Sequence, residues 1–302
     1  MDLKQLNQFI VLSETLSFSQ AALKLHIAQP ALSISIRKLE EEWGTPLFIR
    51  TSRDIQLTEA GKIALNDAKK SIFHAERAKQ MAKQVDGGEI GTLNIAFVGS
   101  AIINIIPQLF SFFCQQNPHI RLELLESTNS NLIEMVKRGE MDLAFARLPI
   151  GYQPNLSVMT VEDDCFMVAL RSDHPLVEKE SISLADLSQY PFIQYTGEIY
   201  GGLDAVIYNM FQAAGYMPQV AHKAVQVQTV VSLVEGGLGL ALVPGIVSDR
   251  LSRSVVLKPL KDTVSPIISL GLIYQSHSES DSVKKFCEVA SQWLLKSRDT
   301  SS

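Results

Sequence analysis

The stretch FSQAALKLHIAQPALSISIRKLEEEWGTPLFIRTSRDIQLTEAG, residues 18–61, decides how the start of this chain folds. Ser17 suits the N-cap of a short helix over 18–25, with Ala21, Ala22 and Leu25 turned inward. His26-Ile27-Ala28 forms a tight turn, and a second helix starts near Gln29. Pro30 fits its first turn, where a missing N–H goes unused. Leu32, Ile36, Leu39 and Trp43 recur at helical spacing as its buried face, and Gly44 stops it. On another stripe Gln29, Ser33 and Arg37 fall at i, i+4 and i+8. Such side chains near a helix N-terminus can hydrogen-bond base edges in the major groove. Three polar residues alone describe a solvated face equally well; the small Ala21-Ala22 pair, the short turn and the next segment favour the groove. In that segment Phe48-Ile49 and Ile55-Leu57 read as two short strands around Thr51–Asp54, a β-wing carrying Arg50 and Arg53. Wing arginines lie over phosphates or in the minor groove.

Outward from this core, Leu3, Leu6, Phe9, Ile10 and Leu12 or Ser13 mark a preceding helix over 3–15. Downstream, Thr58 is a good N-cap, and no Pro or Gly follows Gly61 until Gly87-Gly88. Leu65, Ala68, Ile72, Ala75 and Ala82 make a narrow stripe on this long helix, the kind that seeks a partner helix. Gly87-Gly88 and Gly91 mark a hinge.

The A-A-x-x-L, Q-P-A-L-S, I-x-x-L-E, G-x-x-L-F-x-R and L-T-x-A-G elements of this stretch stand in order over some 45 residues and resemble the winged helix-turn-helix of LysR-type transcriptional regulators. The resemblance implies DNA contacts from Gln29, Pro30, Ser33 and Arg37, with Arg50 and Arg53 in the wing. Ile34 departs from the pattern, since many members carry a polar or basic residue there; base readout at that point is then apolar or absent. The resemblance further implies a linker-helix dimer, assembly into a tetramer, double-stranded DNA as partner, RNA polymerase as a further partner, and either activation or repression.

The bulk numbers mask this. The chain has 302 residues and a net charge of −5, which speaks against nucleic acid. Residues 1–88 hold 12 Lys and Arg against 10 Asp and Glu, a net of +2; the remainder holds 15 against 22, a net of −7. Length alone suggests two or three domains. No apolar run is long enough for a membrane span, and the opening MDLKQLNQF has no basic segment before an apolar core, so no signal peptide and a cytoplasmic location are expected. Cys114, Cys165 and Cys287 are far apart and form no CxxC pair, which argues against a zinc module or disulfide framework.

From residue 91 strands and helices alternate. GTLNIAFV, IRLELLE, DLAFAR, CFMVAL, PFIQY, QVAHKA, LGLALVP and ISLGLIY read as strands, with helices between them and DSVKKFCEVASQWLL as a terminal helix, so a mostly parallel α/β arrangement is expected. The resemblance supplies the return of late elements: a two-lobed effector domain like type 2 periplasmic binding proteins. The expected organisation is a winged helix-turn-helix over 1–58, a linker helix over 59–88 and an effector domain over 89–302, with lobe one at 91–162 and 267–302 and lobe two at 163–266.

In open α/β units ligands bind at strand C-terminal ends and helix N-termini. Position therefore selects Ser100, Thr128 and Asn129, Arg147, Tyr195 with Thr196, Gly202 and Leu203, and Gln228 and Thr229. Any one Ser or Thr is more simply a helix N-cap; hydroxyls, amides and one arginine together suit a small carboxylate. FVGSA, ARLP and the turn near Pro244 most resemble the subgroup controlling aromatic-compound catabolism, which makes an aromatic acid or a ring-derived diacid the preferred effector.

No catalytic motif, phosphate loop or metal-ligand spacing is present, so no enzyme, cofactor or metal is expected. A plain solute receptor is opposed by the N-terminal motif. A redox-sensing regulator needs a reactive cysteine beside a basic group; Cys114 and Cys287 read as core packing, and Cys165 follows Glu162-Asp163-Asp164.

Overall fold

The computed structural model describes residues 1–50, 55–86, 91–197, 202–261, 268–278 and 280–299, with backbone alone for 77, 80–86 and 297–299. Arg53, the Gly87-Gly88 hinge, Gly201 and most of the second expected crossover lie outside the described residues. The chain divides into two units, Met1–Gly87 and Gly88–Ser302.

The first unit runs α1 (Leu3–Thr15), α2 (Phe18–Lys24), α3 (Gln29–Trp43), β1 (Phe48–Arg50), β2 (Ile55–Leu57) and α4 (Glu59–Asp86). Asp2 and Gln5 form a capping box on α1, and Ser17 accepts from the Gln20 amide at the start of α2. His26, at φ 54°, makes the turn into α3. Gly44 ends α3 at φ 69°, a left-handed conformation that favours glycine. β1 and β2 pair antiparallel, Phe48 opposite Leu57. Phe9 stands edge-on to Trp43 and Phe48, with centroids 6.1 and 5.7 Å away, over buried Leu32, Ile36 and Leu39.

Thr58 caps α4: its hydroxyl accepts from the Gly61 amide at 2.9 Å and donates to the Pro46 carbonyl at 2.8 Å. Gly61 has a packing reason, because a Cβ there would lie 2.3 Å from the Leu47 carbonyl oxygen. The stripe expected to await a partner is partly occupied within its own unit. Leu65, Ala68 and Ile72 pack against the core formed with α1, and Lys69 pairs with Glu14 at 2.9 Å. Three helices and a hairpin need a fourth wall, and the first turns of α4 provide it.

The second unit has two cores. The first surrounds a five-stranded sheet of order β4-β3-β5-β12-β6, built from β3 (Gly91–Phe97), β4 (Ile120–Glu126), β5 (Leu143–Arg147), β6 (Leu156–Glu162) and β12 (Leu270–Gln275). β3 pairs parallel with β4 and β5, while β12 runs antiparallel between β5 and β6. Helices α5 (Ile105–Gln116), α6 (Asn129–Lys137) and α10 (Asp281–Asp299) accompany it; Phe113 and Phe286 meet in its core at 4.9 Å. The second core holds an antiparallel sheet β10-β7-β11 and a parallel pair β8-β9. These are β7 (Phe166–Arg171), β8 (Pro191–Tyr195), β9 (Gln219–Ala224), β10 (Ala241–Pro244) and β11 (Val255–Pro259), with α7 (Leu184–Leu187), α8 (Leu203–Ala213) and α9 (Val227–Glu235). The sheets are therefore mixed rather than mostly parallel, because β12 returns late in the chain to insert antiparallel between β5 and β6, and β10 and β11 flank β7 antiparallel.

Candidate functional site

On α3, Gln29, Pro30 and Arg37 are exposed and Ser33 is half-buried. Arg50 is not a free wing cation. Its guanidinium lies 2.6 Å from the Glu40 carboxylate and 5.3 Å over the Phe18 ring. The same carboxylate accepts from the Leu47 amide at 2.9 Å and the Phe48 amide at 3.1 Å. Glu40 thus ties the end of α3 to the wing and to the start of α2. By sequence it reads only as one of three acidic residues that dilute the local positive charge; its spacing from Arg50 carries no pattern.

In the second unit, a small cleft is lined by Val98, Ser100, Thr128, Asn129, Arg147, Tyr195, Thr196, Gly202, Leu203, Asp204, Val225, Gln226 and Val227. It brings together Ser100, Thr128, Asn129, Arg147, Tyr195, Gly202 and Leu203, drawn from both cores. Its centre is Arg147, at the end of β5 and only 3% exposed. Nε donates to the Ser100 hydroxyl at 3.0 Å and Nη1 to Asp164 at 3.4 Å, while Nη2 is buried with no partner. Burial pulls the guanidinium below its ordinary pKa, and Asp164 and then Glu162 act against that pull. Asn129 fixes the Arg147 backbone: its amide donates to the Arg147 carbonyl and accepts from the Arg147 N–H, both at 2.8 Å. Thr128 caps α6, accepting from the Asn131 amide at 3.3 Å. Tyr195 presents a buried hydroxyl with no partner; burial holds its pKa well above the usual value, so it stays protonated and able to donate. Gly202, at φ 129°, brings the chain into α8.

Gln228 and Thr229 do not line this cleft. Helix α9 begins one residue earlier than the pattern suggests, so Gln226 faces the cleft. The Gln228 amide instead donates to the Gly99 carbonyl at 2.8 Å, and Thr229 is exposed. Asp164 was also missed. It accepts from the amides of Cys165 at 2.8 Å, Gly245 at 2.9 Å and Ile246 at 3.4 Å as well as from Arg147. Its place at the passage from β6 to β7, where the chain leaves one core for the other, is the only signal the sequence offers. Cys114 is exposed on α5, not core packing, because it falls outside the apolar stripe of Leu109, Phe110 and Phe113. Burial and then Asp164 push the Cys165 thiol up, away from thiolate chemistry.

Residues 3–62 match the model for the bacterial regulatory helix-turn-helix protein, LysR family, and residues 86–295 match the LysR substrate binding domain. The chain belongs to the LysR family of transcriptional regulators. This LysR-type protein is 31% identical over 294 residues to the Hca operon transcriptional activator HcaR of Escherichia coli (strain K12), covering 97% of this chain and 98% of that protein. It is 32% identical over 273 residues to the HTH-type transcriptional regulator BenM of Acinetobacter baylyi, covering 88% of each. The crystal structure of CbnR, a LysR family transcriptional regulator, superposes with a TM-score of 0.75 at 21% identity over 97% of this chain and 99% of that one. Full-length BenM superposes at 0.60 with 28% identity over 98% of each. Among the described residues no helix is long and apolar enough to cross a membrane.

Proposed function

We propose that this LysR-type regulator is controlled by a small carboxylate, aromatic or ring-derived, seated on Arg147 in the cleft of the effector domain. The observation that carries this is the buried guanidinium of Arg147, a residue that lines the cleft and whose Nη2 has no hydrogen-bond partner. A buried cation with an unmet donor gains most from an anionic acceptor, and a carboxylate can take Nη2 together with a neighbouring hydroxyl. Ser100, Thr128 and Tyr195 supply hydroxyls; Val98, Leu203, Val225 and Val227 supply apolar walls for a ring or short chain. Asn129 acts by holding Arg147 in place. The protein is a regulator and not a catalyst, and works in the cytoplasm where its DNA is.

DNA contacts are assigned to Gln29, Pro30, Ser33, Arg37 and the wing arginines Arg50 and Arg53, with Arg50 acting chiefly as the wing's anchor. The working form is a homo-oligomer, a dimer through the linker helix beyond Ile72 and a tetramer in full. Ligand shifts the balance between two arrangements of that oligomer and so links to DNA affinity. A thermal-shift screen of small carboxylates tests this: a binder at about 100 times its Kd adds about 2.7 kcal/mol of stability. The reading fails if no carboxylate stabilises the protein.

A further inference from the structure

We infer that Ile34 reads the 5-methyl group of a thymine in the major groove. The inference rests on DNA binding through α3 and concerns what one position of that helix recognises.

Three observations carry it. The first is angular. At about 100° per residue, Ile34 lies about 200° round the helix from Leu32. Leu32, Ile36 and Leu39 are fully buried, so Ile34 stands opposite the core, at the centre of the outward face. Pro30 lies one turn before it and Arg37 and Lys38 one turn after, all exposed. The Gln29, Ser33 and Arg37 stripe runs along the shoulder of this face.

The second is exposure. Ile34 is 56% exposed, and it is absent from the side chains packed on the first unit's core. The fold gains nothing from isoleucine here. A β-branched residue is also a weaker helix former than the Arg or Gln that would keep the face polar. The third is chemistry. Of the groups the major groove displays, only the thymine methyl is apolar, and apolar side chains contact it. An aliphatic side chain at the middle of the face, with Arg37 and Lys38 one turn on suited to phosphates, matches that group and no hydrogen-bonding base edge.

The test uses full-length protein and an operator fragment selected by that protein from a random-sequence DNA pool. Each thymine of one half-site is replaced in turn by deoxyuridine, which lacks only the methyl. The expected result is one thymine whose replacement weakens binding about fourfold, the worth of about 0.8 kcal/mol for one buried methyl. That loss disappears in Ile34→Ala, a helix-compatible surface change, and is kept in Ile34→Val. Ile34→Arg moves the preferred base at that position towards guanine in a repeat selection. A selected half-site with no thymine, or a deoxyuridine profile identical in wild type and Ile34→Ala, overturns the inference while leaving DNA binding itself intact.

Discussion

Replacing Glu40 with Ala separates two effects that act in opposite directions. The carboxylate takes two backbone amides, Leu47 and Phe48, and the Arg50 guanidinium, and its side chain is 14% exposed. Hydrogen bonds to a charged group are each worth about 1.5 kcal/mol or more. The Arg50 pair is a third exposed on the arginine side, so it adds at most about 0.5 kcal/mol. Glu40→Ala should therefore cost the DNA-binding unit about 3 kcal/mol. In a unit of this size that lowers the melting temperature by roughly 12–24 °C. Trp43 fluorescence reports it, with Trp293 changed to Phe to silence the other indole. By charge alone, deleting an acid from a DNA-binding face tightens binding. If Glu40 positions the wing, binding weakens instead, and Glu40→Gln, which keeps an acceptor oxygen, falls between. A variant with unchanged melting and equal or tighter DNA binding refutes the reasoning.

Gly61→Ala should destabilise the same unit by about 2 kcal/mol despite alanine's better helix propensity, since its Cβ meets the Leu47 carbonyl oxygen at 2.3 Å; denaturant unfolding checks it. Burial raises the Glu162 pKa, so the folded state is favoured below the ordinary carboxylate range and loses stability as pH rises through the raised value. Glu162→Gln, which keeps an acceptor for Asn104, should thus be more stable than wild type at neutral pH, with the gain vanishing as pH falls below the ordinary value of 4.5. The Cys287 thiol is pushed up to about 11 by burial, whereas Cys114 is exposed; at pH 8, about where alkylating reagents are used, iodoacetamide should label Cys114 first, and the order should disappear in denaturant.

The elements legible in the sequence are those whose signals are local. Ser17, Pro30, Gly44 and Thr58 punctuate the first unit at single positions, and its helices and hairpin follow. Most of the cleft was legible too, because strand ends and helix starts converge in such folds whatever their sequence. What was not legible depends on distance along the chain. β6 and β11 were missed although Pro154-Asn155 and Pro259 punctuate them: β6 joins its sheet only through β12, more than 100 residues later, and β11 pairs back with β7 across most of its core. Glu40 meets backbone amides presented by a wing, and Asp164 meets Gly245 and Ile246 from another element. Neither contact has a periodic trace. Gln228 falls outside the lining of the cleft because α9 begins one residue earlier than the pattern suggests, enough to turn a side chain to another face.

The central claim, that an anion on Arg147 controls DNA binding, is tested most directly by operator affinity measured with matched pairs of ligands, each a small carboxylate and its neutral amide. The account predicts at least one carboxylate that changes operator affinity in the wild type, an amide that does not, and loss of the carboxylate's effect in Arg147→Met. A carboxylate that acts equally on Arg147→Met, or an amide that acts as well as its acid, contradicts it.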